Sequence, residues 1–189
     1  MKVWRKVKIK VWDDELCRGD IITVRLKNGE VHEAEVVDQK EVDGEKRSLV
    51  VFRNCLKDRR PMNEDGGTDG GYLESDLRKA LNGEIYDMFP NKLKKRIIPD
   101  ENGDKLFLLD LKTVGGIDGD WNRCEGQLPY FKDRRNRVAL IAEEESYESA
   151  NWWLRDVVSA SNFACVDYTG ACNNSGASNS RGVRPAFVI

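Results

Sequence analysis

Two apolar blocks late in the chain constrain its fold more than any other feature. Asn151-Trp152-Trp153-Leu154-Arg155 and Gly182-Val183-Arg184-Pro185-Ala186-Phe187-Val188-Ile189 enclose a segment, Asp156 to Arg181, with no Lys, Glu, Gln, Met or Trp. Each block reads as a core strand, so the polar segment between them is anchored at both ends, unlike a frayed loop. Alternation places Trp153 and Phe187 on inward strand faces, and both rings are expected in one core. Within the segment the side chains are small or polar, with one Tyr, one Phe, one Arg and two Cys.

Upstream, short apolar runs are separated by turn residues. Ile21 to Leu26 and Val31 to Val37 alternate around Asn28-Gly29, a hairpin signal, and Ser48 to Asn54 gives a third strand. Val7, Ile9 and Val11 alternate with Lys6, Lys8 and Lys10, predicting a half-buried strand before them. A polar, Gly-rich loop runs from Lys57 to Gly71 without phosphate-loop spacing. A helix is predicted from Ser75 or Asp76, which can cap its free N–H groups, with Leu77, Ala80 and Leu81 inward and Asn82-Gly83 ending or breaking it. A second short helix follows Pro90 with Leu93 and Ile97 inward, Lys105 to Leu111 reads as a buried strand, Val114 to Asp133 as irregular, and Val138 to Ala142 as another strand. Short strands, two helices and long loops predict an α+β fold, with a small N-terminal antiparallel β unit over residues 1–56 and a larger body over residues 57–189.

Charge excludes some function classes. The net charge is −2, and Lys94-Lys95-Arg96 and Arg134-Arg135 have acidic residues nearby, so no nucleic acid partner is expected. No apolar run reaches eighteen residues, so no membrane insertion is expected, and Met1 to Trp12 lacks the continuous apolar stretch of a signal peptide. Synthesis in the cytosol follows, with any external role reached through a phage particle or a non-classical route. Cys17, Cys55, Cys124, Cys165 and Cys172 include no C-x-x-C pair, which argues against zinc or redox motifs. Cys165 and Cys172 could face each other across a hairpin, but buried free thiols are the preferred reading. His32 is the only histidine and falls in the predicted hairpin, as a surface strand residue rather than a general base. Asp118, Asp120 and Glu125 flank Trp121 without the spacing of a calcium loop and read as a solvated turn. No metal and no cofactor are expected.

A set of motifs carries a resemblance over most of the chain. These are Arg59-Arg60-Pro61-Met62-Asn63, Gly70-Gly71-Tyr72-x-x-Ser75-x-Leu77-Arg78-x-x-Leu81-Asn82, Asp104-Lys105-Leu106-Phe107-Leu108-Leu109, Glu125-Gly126-x-x-x-Tyr130-Phe131, Trp153-Leu154-Arg155 and Gly182-Val183-Arg184-Pro185-Ala186-Phe187. In this order they resemble an uncharacterised domain family of gut bacteria and their phages. The C-terminal pattern also resembles the variable proteins of diversity-generating retroelements, whose C-type-lectin-like fold is related to the formylglycine-generating enzyme. That resemblance implies a C-type-lectin-like body over residues 57–189 and a variable segment over residues 156–181. In those systems template adenines are randomised, and an altered Asn codon never yields Lys, Glu, Gln, Met or Trp, which is the exclusion seen here. No match to the enzyme's reactive cysteine pair is present, so its chemistry is not carried over.

The expected function is therefore non-enzymatic display, in recognition of a protein or glycan ligand on a cell surface. Small polar residues and a Tyr supply adaptable contacts. Ser161, Asn162, Asp167, Tyr168, Asn173, Asn174, Ser178, Asn179 and Arg181 are the candidate ligand-binding residues, expected outward and on one face. For Arg155 and Arg184 the favoured role is structural, a planar fork that pins loop carbonyls or a carboxylate. The alternatives are a structural phage or cell-envelope domain without a variable site and an enzyme using the Asp118, Asp120 and Glu125 loop.

Overall fold

A computed structural model describes residues 15–116, 126–142 and 146–189. The N-terminal alternation and the loop of Asp118, Asp120, Trp121, Cys124 and Glu125 lie outside the described residues. The fold is α+β, built on antiparallel sheets with short helices.

Strands β1 (Ile21–Arg25), β2 (Val31–Val42) and β3 (Glu45–Phe52) form a meander. The tightest turn is not at Asn28-Gly29, where only Gly29 has positive φ. It lies at Asp43-Gly44, with φ of 54° and 77° between the paired residues Val42 and Glu45. Both central residues are left-handed, the geometry that matches strand twist in a two-residue hairpin. The sheet is completed by β9 (Ala186–Val188), which pairs antiparallel with β3. Two smaller sheets follow, one of β4 (Ala139–Ala142) with β5 (Tyr147–Ala150), the other of β6 (Trp152–Ser159), β7 (Asn162–Val166) and β8 (Cys172–Gly176) in that order.

Because side chains alternate along a strand, β3, β6, β7 and β9 feed two cores, one from each face. Val50, Phe52, Trp153, Phe163, Cys165 and Phe187 enter the first. Val51, Trp152, Leu154, Ala164, Val166 and Ala186 enter the second. The first core is covered by α1 (Gly71–Glu74), α2 (Asp76–Ala80), a kinked continuation through Leu81–Ile85 into α3 (Tyr86–Met88), and α4 (Asn91–Lys94). Over the second lie α5 (Leu111–Gly115), α6 (Pro129–Lys132) and β4. Trp153 and Phe187 are fully buried in the first core, as their strand positions predict. Residues on both sides of position 56 share the four-stranded sheet and both cores.

Ser75 caps α2 as expected, its side chain accepting a hydrogen bond from the Arg78 amide at 3.1 Å. Asn82-Gly83 kinks the helix rather than ending it. Gly83 leaves helical geometry (φ −107°, ψ −106°) and the chain recovers at once. Asn82 is held there by tertiary bonds: its Oδ1 accepts from the amides of Lys105 and Leu106, and its Nδ2 donates to Leu106 O. The stretch expected as a strand over Lys105 to Leu111 forms only a single bridge, Phe107 with Ala186, and its last residue opens α5. It is buried by side-chain packing, with Leu106 and Leu108 in one core and Phe107 and Leu109 in the other.

Candidate functional site

The segment from Asp156 to Arg181 is mostly strand. β7 is its spine, with Phe163, Ala164, Cys165 and Val166 all buried. A strand buried on both faces tolerates little change, so the composition of the segment as a whole does not mark one freely exposed loop. Ala177 and Ser175 are buried as well. What remains exposed or half-buried includes all nine candidate ligand residues: Ser161, Asn162, Asp167, Tyr168, Asn173, Asn174, Ser178, Asn179 and Arg181.

They fall into two groups rather than on one face. At one end of the sheet Ser161 Oγ donates to Asn162 Oδ1 at 3.1 Å, and Asn162 Nδ2 donates to Asn174 Oδ1 at 2.8 Å. The register pairs Ala164 with Asn174 and Cys165 with Asn173, so the two adjacent asparagines of β8 project to opposite faces. On the face of Asn173 the buried Ser175 Oγ accepts from Asn179 Nδ2 at 3.1 Å and from Arg181 Nε at 2.9 Å. The other group is the β7–β8 turn. There Asp167 Oδ1 accepts from the Thr169 amide and hydroxyl and from the Ala171 amide. Burial pushes the Asp167 carboxyl up, but these bonds and one from Asn173 outweigh it and hold its pKa below the usual carboxylate value. Gly170 (φ 81°) closes the turn, and a Cβ there would lie 2.8 Å from Arg134 O. Tyr168 projects from the tip, 62% exposed, its amide held by Asn151 Oδ1 at 2.8 Å.

Sequence reasoning assigned the surface to the C-terminal segment alone and missed its neighbour. The loop after β3 is tied to it by a bridge between Arg60 and Arg181 and by the amides of Met62 and Asn63, which both donate to Ala177 O. A Cβ on Gly66 would lie 3.3 Å from Ser178 Oγ, so this loop packs directly beside the polar patch. No apolar periodicity marks that loop, which is why its role was not legible.

Other candidate groups occupy structural places. Arg184 is 1% exposed, donates from Nε to Phe52 O at 2.6 Å and from Nη1 to Asn136 O at 3.0 Å, and stacks 4.8 Å from the Trp152 ring. Burial pushes its pKa down, and the nearby Tyr130 pushes it up. Arg155 pairs with Asp110 at 2.9 Å. Cys165 and Cys172 lie on opposite faces of the sheet and do not bridge each other, since Cys165 is registered to Asn173 and Cys172 to Val166. His32 sits on β2 as expected but is half-buried: its Nε2 lies 2.8 Å from Glu30 Oε2 and its ring stacks 5.0 Å from Phe52. It shares a cleft of about 490 Å³ with Glu30 and Cys55, an assembly that sequence spacing did not reveal. Desolvation pushes the Cys55 thiol up to about 12, so it rests there as a thiol, not a nucleophilic thiolate. Among the described residues no group of three or more His, Cys, Asp or Glu is placed to hold a metal, and no helix is long and apolar enough to cross a membrane.

Residues 46–189, from β3 through β9, match the profile of DUF6273, a domain of unknown function. The chain belongs to the DUF6273 family. The DUF6273 region therefore takes in both small sheets, the helical cover and the whole polar surface, while β1 and β2 precede it. Neither a curated protein nor a solved structure matches the chain.

Proposed function

We propose that this chain is a non-enzymatic ligand-binding domain that displays the exposed polar positions around β7 and β8 to a protein or glycan on a cell surface. One observation carries the reading. Along β7 the apolar run Phe163 to Val166 is fully buried while all nine polar candidates around it remain exposed or half-buried. A strand locked between two cores is a rigid support, and binding sites on rigid supports lose little on ordering. Tyr168 and Arg181 are the energetic anchors, because Tyr and Arg dominate interface hot spots.

The finer reading is a C-type-lectin-like variable protein of a diversity-generating retroelement, related to domains of gut bacteria and phages. It applies to the exposed positions only. Phe163, Ala164, Cys165, Val166 and Ala177 fit the codon exclusion too, but their burial requires them to stay apolar. A library randomising Ser161, Asn162, Asp167, Tyr168, Asn173, Asn174, Ser178 and Asn179 tests the proposal, scored separately for folding and for binding to arrayed glycans and cell-surface proteins. Most variants should fold, since exposed substitutions change stability by less than about 0.5 kcal/mol each, while binding should diverge among them. Loss of folding across most of the library would make the patch structural and remove the proposal. A near-repeat of the segment in the flanking DNA, differing only at adenines, separates the retroelement reading from display by a fixed surface.

A further inference from the structure

A second site lies away from the polar patch, in a cleft of about 340 Å³ between β2, β3, β9, the stretch at 107–110 and Leu128. Its floor is apolar, formed by Leu49, Phe107, Leu109, Leu128 and Val188. None of the nine display candidates lines it. Charged side chains ring the floor, and most are already engaged. Asp38 is paired with Arg18 at 2.7 Å, and Asp110 with Arg155 at 2.9 Å. Asp100 accepts from the amides of Asn102 and Asp104.

Arg47 is not among them. It lines this cleft from β3 with its Nε buried out of a ligand's reach, and no hydrogen bond or ion pair to its two terminal nitrogens is present among the described residues, so those two N–H groups are what a ligand would meet. A guanidinium is built for a planar anion, which it grips through two parallel N–H groups. Lys40 adds a second cation on the adjacent strand, and Glu101 stands as the remaining carboxylate on the rim. The cleft thus pairs an unused cationic fork with an apolar floor.

We infer that this cleft binds a small monocarboxylic acid, its carboxylate on Arg47 and its hydrocarbon body on the Leu49, Phe107 and Leu109 floor. The volume is at the lower end of small-molecule sites, which suits an acid of a few carbons rather than a long lipid. Hexanoate is the probe, with hexan-1-ol and hexylammonium as controls of equal length, each titrated into the full chain by calorimetry and by thermal shift. Hexanoate should bind at one site and raise the melting temperature saturably, with the alcohol at least about tenfold weaker and the ammonium without effect. Arg47→Met keeps the stem over the floor and should abolish hexanoate binding while leaving the unliganded melting temperature unchanged. Should that variant fold poorly, Glu101→Gln gives an independent reading, because removing the rim carboxylate should tighten hexanoate a few-fold. Equal binding of the alcohol, unaltered binding by Arg47→Met, or no hexanoate binding overturns the assignment. So does binding of a peptide with a C-terminal leucine carboxylate when hexanoate fails, which would make the cleft a chain-end receptor instead.

Discussion

Arg184 shows what a single buried charge does in this molecule. Its guanidinium is a cross-brace, joining the end of β3 through Phe52 O to the 3₁₀ turn at Arg134–Arg137 through Asn136 O, with Trp152 stacked on its plane. A lysine has the charge without the fork. Arg184→Lys should therefore cost about 1–3 kcal/mol by leaving a buried carbonyl unmatched, and an unchanged denaturant midpoint would refute the bracing role. The thiols report burial directly. Desolvation pushes Cys55 up to about 12 and Cys165 up to about 11, whereas Cys17 is exposed. In native protein at neutral pH a disulfide reagent should modify Cys17 quickly and reach Cys55 and Cys165 only with unfolding. Glu30 gives a pH dependence. Burial pushes its carboxyl up, but hydrogen bonds from the Lys57 amide, His32 and Asn28 outweigh that and hold it below its usual 4.5. Its folded value is depressed, so its contribution is present above the unfolded value and is lost as the pH falls through the folded one. Glu30→Gln should flatten the decline of melting temperature as the pH falls below 4.5; a decline as steep as in the parent protein would count against it.

At the scale of elements, β7 and its turn decide how far the surface can vary. Gly170 combines a left-handed backbone with a close approach to Arg134 O. Gly170→Ala should cost more than about 1 kcal/mol, where Ser178→Ala, on the exposed side, should cost under about 0.5 kcal/mol; comparable losses in thermal melts would contradict this division. β7 also marks where sequence stops being informative. The brackets at Asn151–Arg155 and Gly182–Ile189 were legible because apolar residues dominate them. Phe163 to Val166 was not, because Ala164 and Cys165 are small and sit among polar neighbours, although both are buried. The Ser75 cap was legible, since its chemistry is local. Asn82-Gly83 was legible as an end or a break, but not that the helix resumes beyond it, because the Asn82 amide is recruited by Lys105 and Leu106, partners no local pattern contains. The nine surface residues were legible one by one through polarity, while their division between two faces depended on register.

Across the whole molecule, the two cores are tied together by strands that serve both. β9 pairs with β3, bridges to Phe107 and Ile98, and sends Phe187 to one core and Ala186 to the other. Cooperative unfolding follows, because neither core can lose β9 without exposing the other. Amides of β3, β7 and β9 should exchange with solvent in one late group, and a β3 that exchanges well before β7 would show two independent units instead. Truncating Phe187 to Ala should cost about 3–5 kcal/mol, its ring being packed edge-on against Phe52 and Phe89 at 6.4 and 6.0 Å.

The position of β9 also sets the order of events during synthesis. The meander of β1 to β3 leaves the ribosome first, with Val50, Val51 and Phe52 ready to be covered and their partner strand still unmade. Nothing local substitutes for Ala186–Val188, so the nascent chain carries an open, apolar sheet edge until residues 186–188 emerge. Such edges recruit other strands. Slowed translation over the Asn- and Ser-rich stretch before β9 would lengthen that exposure, making yield sensitive to codon choice there even where the finished protein is indifferent to the residue.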